Sequence, residues 1–205
     1  MIITYEVDSK AYHTGRSLYV NLTNKCSNQC VFCLRYDRKN SENSLDELWL
    51  EREPTKNEIL EDILKHDLSQ YSELIFCGYG EPTYRLKEIS EIAKTVKKTY
   101  PISTRINTNG QANLIHHKEM TSYLKDAIDV ISISLNAKNA KEYQTMCHSQ
   151  FDNAFDALLD FAKKATQYSK VYMTIVDILS VSDQKCCKTV AESVGAELKI
   201  RKYLK

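Results

Sequence analysis

Residues 24–35 read NKCSNQCVFCLR and place three cysteines, Cys26, Cys30 and Cys33, at C-x3-C-x2-C spacing. They follow a strand-like stretch, residues 17–23, in which apolar and polar side chains alternate. Three thiolates on one short loop can bind three irons of a four-iron cluster, which normally takes four cysteines. One iron is then left for a ligand other than protein, as in catalytic metal sites that keep an open position.

Spacing alone leaves two other interpretations of these cysteines open. A zinc site usually pairs C-x2-C with a second pair or with histidines, and the chain has no second C-x2-C pair and no histidines at ligand spacing. Coincidental spacing is the other interpretation. A disulfide framework is typical of small secreted chains, and the chain shows no charged-then-apolar leader that would predict secretion.

Composition predicts one globular domain over residues 1–205, because 42% of the residues are hydrophobic and glycine and proline are few. The formal net charge of +1 favours neither a nucleic-acid nor a membrane-surface partner. No apolar run approaches the roughly 18 residues of a membrane span. Cysteines grouped on one loop indicate a reducing cytoplasm. The remaining cysteines lack ligand spacing, so we expect packed thiols and no auxiliary cluster domain from Cys77, Cys147, Cys186 and Cys187.

The chain alternates strand-like and helix-like stretches, which predicts right-handed crossovers and a parallel sheet. Strands are expected over 17–23, 73–77, 102–107, 130–136, 171–176 and 198–204. Helices are expected over 56–68, 86–100, 114–125 and 183–194, and one or two helices over 138–166. Several strands are apolar on one face and polar on the other, whereas a doubly wound sheet has continuously apolar strands. Six repeats cannot close an eight-stranded barrel. The pattern therefore predicts an α/β fold, a partial, open (β/α)6 TIM-like barrel with a polar lumen; an antiparallel α+β sheet is the alternative.

The cysteine loop also resembles that of a known family. C-x3-C-x-aromatic-C after a first strand, with Phe32 at the aromatic position, is the signature of radical S-adenosylmethionine (SAM) enzymes. The segment from Gly78 to Pro82 resembles their G-G-E-P motif, with Tyr79 in place of a small residue. Over nearly the whole chain, stretches such as LWLEREPT, GYGEPTYR, SLNA, TIVD and LKIRKY are similar to the small group called TatD-linked radical SAM proteins. The resemblance implies a chemistry and names no substrate.

The resemblance implies that Cys26, Cys30 and Cys33 hold a [4Fe-4S] cluster and that SAM binds its fourth iron. One electron then cleaves SAM to a 5′-deoxyadenosyl radical, which abstracts hydrogen from the substrate. The SAM site is expected on loops at the carboxyl ends of the strands. Its candidate residues are Phe32, Gly78, Tyr79, Gly80, Glu81, Asn107, Asn109, Ser134 and Asn136. A plain polar position in the lumen is the alternative for Ser134 and Asn136.

Three cationic side chains, Arg105, Lys199 and Arg201, are expected to face the lumen, where charged groups need partners. An anionic group on a small-molecule substrate is one candidate partner, and a salt bridge to Glu81 or Asp177 is the other. Residues 36–53 are a candidate lid.

Three functions stay open at this stage. The first is a minimal radical SAM enzyme that acts on a small anionic substrate and takes its electron from a reductant such as flavodoxin or ferredoxin. The second is a glycyl-radical-enzyme activase that acts on a protein partner. The third is a non-catalytic iron–sulfur or other metal-binding module coupled to a TatD-type hydrolase.

Overall fold

The computed structural model describes residues 1–7, 16–33 and 48–203. Its strands form one seven-stranded sheet in the order β1 to β7. Strand β1 is antiparallel to β2, and every later neighbouring pair is parallel. The strands are Thr4–Val7 (β1), Arg16–Val20 (β2), Tyr71–Phe76 (β3), Ser103–Thr108 (β4), Val130–Ser134 (β5), Lys170–Val176 (β6) and Glu197–Arg201 (β7).

Strand order follows chain order throughout the sheet, whereas a doubly wound sheet reverses its order at a switch point. Right-handed crossovers that all proceed in one direction put the helices on one face. The helices are Lys56–Leu64 (α1), Leu86–Lys97 (α2), Ala112–His116 (α3), Ala140–Cys147 (α4), Ala154–Ala165 (α5) and Val181–Ser193 (α6). Among the described strands β7 does not pair with β1, so the open, partial barrel predicted from sequence is confirmed.

Strand β5 shows how the two faces of the sheet differ. Ile131 and Ile133 are fully buried in the core beneath the helices, whereas Ser132 and Ser134 are half-buried on the opposite, inner face. The alternation expected from sequence is therefore present, and its polar half lines the lumen.

Two predicted elements differ from the structure. The helix expected over 114–125 consists of α3 and a separate 3-10 turn, Thr121–Leu124. His117 ends α3 in the left-handed conformation with a φ of 52°, and the Asn113 side chain accepts a hydrogen bond from the Met120 N–H. The stretch 138–166, predicted to hold one or two helices, holds two, α4 and α5, and His148 follows the first with a φ of 42°. The last strand ends at Arg201, short of the predicted limit at residue 204.

Two predicted helix ends are confirmed. Thr55 and Glu58 form the capping box expected at the start of α1, since each side chain binds the other's backbone N–H. Gly195 follows the last turn of α6 with a φ of 78°, a conformation that glycine adopts at helix ends. None of the described helices has both the length and the apolar composition needed to cross a membrane.

The candidate lid is described only from residue 48 onward. Leu48 and Leu50 are buried, and their carbonyl oxygens accept hydrogen bonds from the side-chain amides of Asn21, at 2.5 Å, and Asn24, at 2.7 Å. This end of the segment therefore packs back on the domain, beside the cysteine loop. Residues 36–47 lie outside the described residues, so the lid stays a prediction.

Candidate functional site

The cysteine loop, residues 26–33, follows β2 at the carboxyl edge of the sheet. The Cys33 N–H donates to the Cys30 carbonyl oxygen at 3.0 Å, which closes a turn between these two cysteines. The Asn28 N–H donates to the Cys26 sulfur at 3.5 Å. All three cysteines are only half-buried, so their thiols are within reach of a ligand.

Helix α4 holds this loop through the backbone. The Gln29 N–H donates to the Cys147 carbonyl oxygen and the Val31 N–H donates to the Met146 carbonyl oxygen, each at 2.9 Å. After the helix, the Gln150 N–H donates to the Ser27 carbonyl oxygen, also at 2.9 Å. The last carbonyls of a helix have no partner within it, so the end of α4 is free to bind the loop, which forms no helix or strand of its own.

A buried polar network lies under the loop. The Asn28 side-chain amide donates to the Tyr143 hydroxyl at 3.0 Å, and the Gln111 amide donates to the Asn28 oxygen at 2.9 Å. The Ser27 hydroxyl donates to the Gln111 oxygen and accepts from the Asn109 amide, both at 2.8 Å. Buried networks with satisfied members favour one arrangement, so this network orients the loop. Sequence reasoning missed it, because its members lie on separate elements and share no spacing.

The Glu81 carboxylate ties the loop after β3 to the loop after β4. It accepts hydrogen bonds from the N–H and hydroxyl of Thr83, at 3.0 and 2.5 Å, the hydroxyl of Thr108 at 2.6 Å and the N–H of Asn109 at 2.7 Å. Burial raises the pKa of this carboxyl, and the hydrogen bonds oppose that rise. The Glu81 N–H also donates to the Lys25 carbonyl oxygen at 2.7 Å, next to Cys26. Its side chain therefore supports the site from inside the protein.

The two glycines of the GYGEP segment allow the loop after β2 to pass very close. A Cβ at Gly80 would lie 2.2 Å from the Thr23 carbonyl oxygen and 2.5 Å from that of Lys25. A Cβ at Gly78 would lie 1.9 Å from the side-chain oxygen of Asn21. These glycines are required for packing whether or not their backbone also contacts a ligand.

The remaining residues predicted to bind SAM fall into three groups. Asn109 uses its side-chain amide and oxygen within the network described above. Asn107 and Asn136 each carry a buried side-chain oxygen without a hydrogen-bond partner in the described part of the chain. An unsatisfied buried acceptor costs about 1–3 kcal/mol, so a ligand that donates to these oxygens would recover that energy. Ser134 is half-buried on the inner face, and Phe32 is half-buried in the cysteine loop.

Tyr79 takes the position at which the family motif has a small residue. Tyr79 is 9% exposed, and its ring lies 6.4 Å from that of Trp49, which belongs to the candidate lid. The larger residue therefore packs against the described end of the candidate lid.

The three predicted cations differ in their surroundings. Arg105 forms a salt bridge of 2.8 Å with Glu73, and the two side chains are only 13% and 11% exposed. This pairing corrects the predicted salt bridge to Glu81 or Asp177, because neighbouring strands place Glu73 beside Arg105. The Lys199 ammonium lies 3.4 Å from the centre of the Tyr172 ring on the inner face. Arg201 is exposed.

Within residues 1–7, 16–33 and 48–203, no three histidine, cysteine, aspartate or glutamate side chains surround a point where one metal ion could bind. A zinc ion needs its sulfur donors at about 2.3 Å from a single centre. A four-iron cluster is different, since each thiolate binds a separate iron.

Comparison with protein-family models identifies the superfamily of this chain. The family model of the radical SAM superfamily matches residues 20–192. The chain belongs to the radical SAM superfamily. No curated protein matches it.

Solved structures share the radical SAM fold with this chain at low sequence identity. Methylornithine synthase (PylB) has a TM-score of 0.64 and 15% identity, over 92% of this chain and 53% of that structure. Streptococcus suis SuiB, bound to S-adenosylmethionine, has a TM-score of 0.68 and 16% identity, over 91% and 40%. A radical SAM methyltransferase from Sphaerobacter thermophilus has a TM-score of 0.61 and 12% identity, over 93% and 56%. The chain thus spans about half the length of these structures.

The donor set of this radical SAM protein fits the cofactors that its family implies. Three thiols on one loop suit a four-iron cluster with one iron left open. The unsatisfied oxygens of Asn107 and Asn136 can accept from ammonium or hydroxyl groups, both of which SAM carries.

A fourth cysteine, which the sequence analysis treated as a separate packed thiol, lies beside the cysteine loop. Cys147, the last residue of α4, is fully buried, and its carbonyl oxygen accepts the hydrogen bond from the Gln29 N–H of the loop. Contact with Cys147, together with burial, raises the pKa of Cys30, and the same contact lowers the pKa of Cys147. Sequence spacing could not show this, since Cys147 lies 117 positions after Cys30 in the chain.

Proposed function

We propose that this chain is a radical SAM enzyme whose three-cysteine loop, Cys26, Cys30 and Cys33, holds a [4Fe-4S] cluster that binds SAM. The observation that carries the proposal is the loop's position, held by α4 and by the Glu81 network inside a radical SAM fold. The bound cluster would supply one electron that cleaves SAM to a 5′-deoxyadenosyl radical, which abstracts hydrogen from the substrate.

The chain's own residues bind and orient the cofactor. The backbone bonds from α4 and the buried network under the loop keep the three thiols on one side of the strand ends. Asn107 and Asn136 offer their buried side-chain oxygens to the ammonium and hydroxyl groups of SAM. The Gly78–Glu81 segment contributes backbone groups from a position fixed by Glu81.

A small anionic substrate fits the cations of the lumen. Arg105 is already paired with Glu73, so its charge is balanced within the protein. Lys199 and Arg201 lie on the inner face at the far end of the sheet, and Lys199 is also held above the Tyr172 ring. We therefore assign the anionic group of the substrate to Lys199 and Arg201, with Arg105 in a structural role.

The partners of the enzyme also belong to this proposal. The similarity of its sequence to TatD-linked radical SAM proteins supports a place beside a TatD-type hydrolase. The open iron requires one electron for each SAM cleaved, which a flavodoxin or a ferredoxin would supply.

The test is 5′-deoxyadenosine formation. The protein is purified without oxygen, reconstituted with iron and sulfide, and incubated with SAM and dithionite. We expect 5′-deoxyadenosine from the wild type, none from Cys30→Ala, and wild-type amounts from Cys187→Ala, which removes a buried helix thiol on α6. A loaded cluster without SAM cleavage would favour a metal-binding module, and a colourless zinc protein would refute the proposal.

The substrate class is tested on the same reaction. Small metabolites are separated by ion exchange into anionic, neutral and cationic fractions, and each is added to the enzyme. We expect the anionic fraction alone to increase the rate of 5′-deoxyadenosine formation, and Lys199→Gln to reduce that increase at least tenfold. Stimulation by the neutral or cationic fraction would refute an anionic substrate.

A further inference from the structure

Hydroxyl groups line the inner face of the sheet across β5 and β6. Ser132 and Ser134 of β5 lie on this face, and strand register places Tyr172 and Thr174 of β6 beside them. Each of these four side chains carries a hydroxyl group, and none carries a charge. Small-molecule sites are usually lined mainly by apolar side chains, so a ligand over this part of the lumen is expected to be polar itself.

One row of residues across three neighbouring strands joins the proposed SAM and substrate positions. Asn107, Ser132 and Tyr172 are register partners on β4, β5 and β6. Asn107 is proposed to hold SAM, and the Lys199 ammonium, proposed to bind the anionic group of the substrate, lies 3.4 Å from the centre of the Tyr172 ring. Two strand spacings, about 10 Å, separate Asn107 from Tyr172. Ser132 is the middle residue of this row, so it faces the part of the substrate between the anionic group and SAM.

The Ser132 hydroxyl is available to a ligand. The residue is half-buried, and its hydroxyl forms no hydrogen bond with any residue of 1–7, 16–33 or 48–203. The Thr174 hydroxyl, by contrast, already donates to the Ile133 carbonyl oxygen at 3.4 Å. A polar group that a bound ligand covers without giving it a hydrogen bond weakens binding. The substrate should therefore carry a hydrogen-bonding group at Ser132.

The charges around Ser132 narrow the choice of that group. The described side chains of β5 and β6 on the inner face include no carboxylate, so an ammonium group of the substrate would have no counter-ion there. Glu197, on the next strand, forms a salt bridge of 3.5 Å with Lys170. A hydroxyl group of the substrate is neutral and can both donate to and accept from a serine.

We propose that Ser132 binds a hydroxyl group of the substrate and thereby selects a small hydroxylated anion, such as a sugar acid or a polyol phosphate. This inference rests on the proposed function and names the substrate class of the same site. The anionic group lies at Lys199, and the hydroxylated carbon chain extends from there over Ser132 towards SAM. Ser132 is thus a specificity-determining residue, since it favours a hydroxylated chain over an aliphatic one of the same charge.

The experiment measures dissociation constants by calorimetry for the reconstituted protein with SAM and without a reductant. The probes form two matched sets. Gluconate is compared with hexanoate, which lacks the hydroxyl groups, and with glucitol, which lacks the charge; glycerol phosphate is compared with propyl phosphate and glycerol. We expect at least one hydroxylated anion to bind at least tenfold more tightly than both of its matched probes, and the set in which this occurs identifies a carboxylate or a phosphate. Aminohexanoate should bind no more tightly than hexanoate.

Variants assign the preference to Ser132. Ser132→Ala should weaken binding of the preferred hydroxylated anion about three- to tenfold, the effect of one hydrogen bond, and should leave its unhydroxylated match within about twofold. Ser132→Thr keeps a hydroxyl group and should keep the preference. Lys199→Gln should weaken both anions to the same degree. Ser193→Ala, which removes an exposed hydroxyl from α6, is the control and should match the wild type.

The outcomes separate this inference from the proposed function. A wild type that forms no 5′-deoxyadenosine from SAM and dithionite overturns the proposed function and the inference with it. A wild type that cleaves SAM overturns the inference alone if no hydroxylated anion binds, or if the unhydroxylated anions bind as tightly. Equal weakening of both anions by Ser132→Ala would show a structural role and would also overturn it. The wild-type comparison needs no variant, so it decides if Ser132→Ala does not fold.

Discussion

Glu81→Gln replaces one carboxyl oxygen by an amide nitrogen in a side chain whose residue is only 3% exposed. One oxygen accepts three hydrogen bonds, from Thr83 and Thr108, whereas the other accepts one, from the Asn109 N–H. Glutamine does best with its oxygen at the three-donor position, so its amide group then faces the Asn109 N–H. Two buried donor groups, the Asn109 N–H and the glutamine NH2, are then left without an acceptor. At about 1–3 kcal/mol for each, the variant should lose about 3 kcal/mol of unfolding free energy.

The assay is urea and thermal unfolding of the metal-free protein under reducing conditions at pH 7, followed by circular dichroism. A loss of 3 kcal/mol corresponds to a fall in melting temperature of about 6–12 °C for a chain of this size. Glu61→Gln, an exposed carboxyl on α1, is the control and should stay within about 0.5 kcal/mol of the wild type. A Glu81→Gln protein as stable as that control would show that the carboxyl does not tie the two loops together.

Three further predictions test the surroundings of the site. Gly80→Ala puts a Cβ 2.2 Å from a backbone carbonyl oxygen, so it should cost about 1–3 kcal/mol or more of unfolding free energy and reduce iron loading; normal loading and stability would contradict this. Glu73→Leu should cost about 3–5 kcal/mol, because Arg105 is left buried without its carboxylate, while the double variant with Arg105→Leu recovers most of the loss; a double variant as unstable as the single one would contradict this. At Glu119, burial is outweighed by hydrogen bonds from Lys164 and other donors, which lower the carboxyl pKa to about 2. The Glu119 carboxylate stabilises the fold above the unfolded pKa of about 4.5, and this contribution is lost as pH falls towards 2. The free energy of unfolding should therefore fall less steeply with decreasing pH in Glu119→Gln than in the wild type. An unchanged slope would contradict this prediction.

Local patterns in the sequence predicted the scaffold. The alternation in β5 required one buried and one wet face, and the structure places Ile131 and Ser132 accordingly. The capping box at Thr55 depends only on two residues three positions apart, so it can be read from the sequence at the start of a helix. The prediction of one helix over 114–125 was wrong. The side chain of Asn113 competes for backbone donors there, and the spacing of apolar residues does not show such competition.

The sequence by itself determined the repeating strand and helix order, the open barrel and the three cysteines, because each depends on residues close together in the chain. The tertiary structure alone decided which distant groups meet. It paired Arg105 with Glu73 through strand register, gathered four donors around Glu81 and brought the end of α4 against the cysteine loop. Contacts of this kind arise from the packing of whole elements. No spacing along the chain encodes them, so they become visible only when the chain is folded.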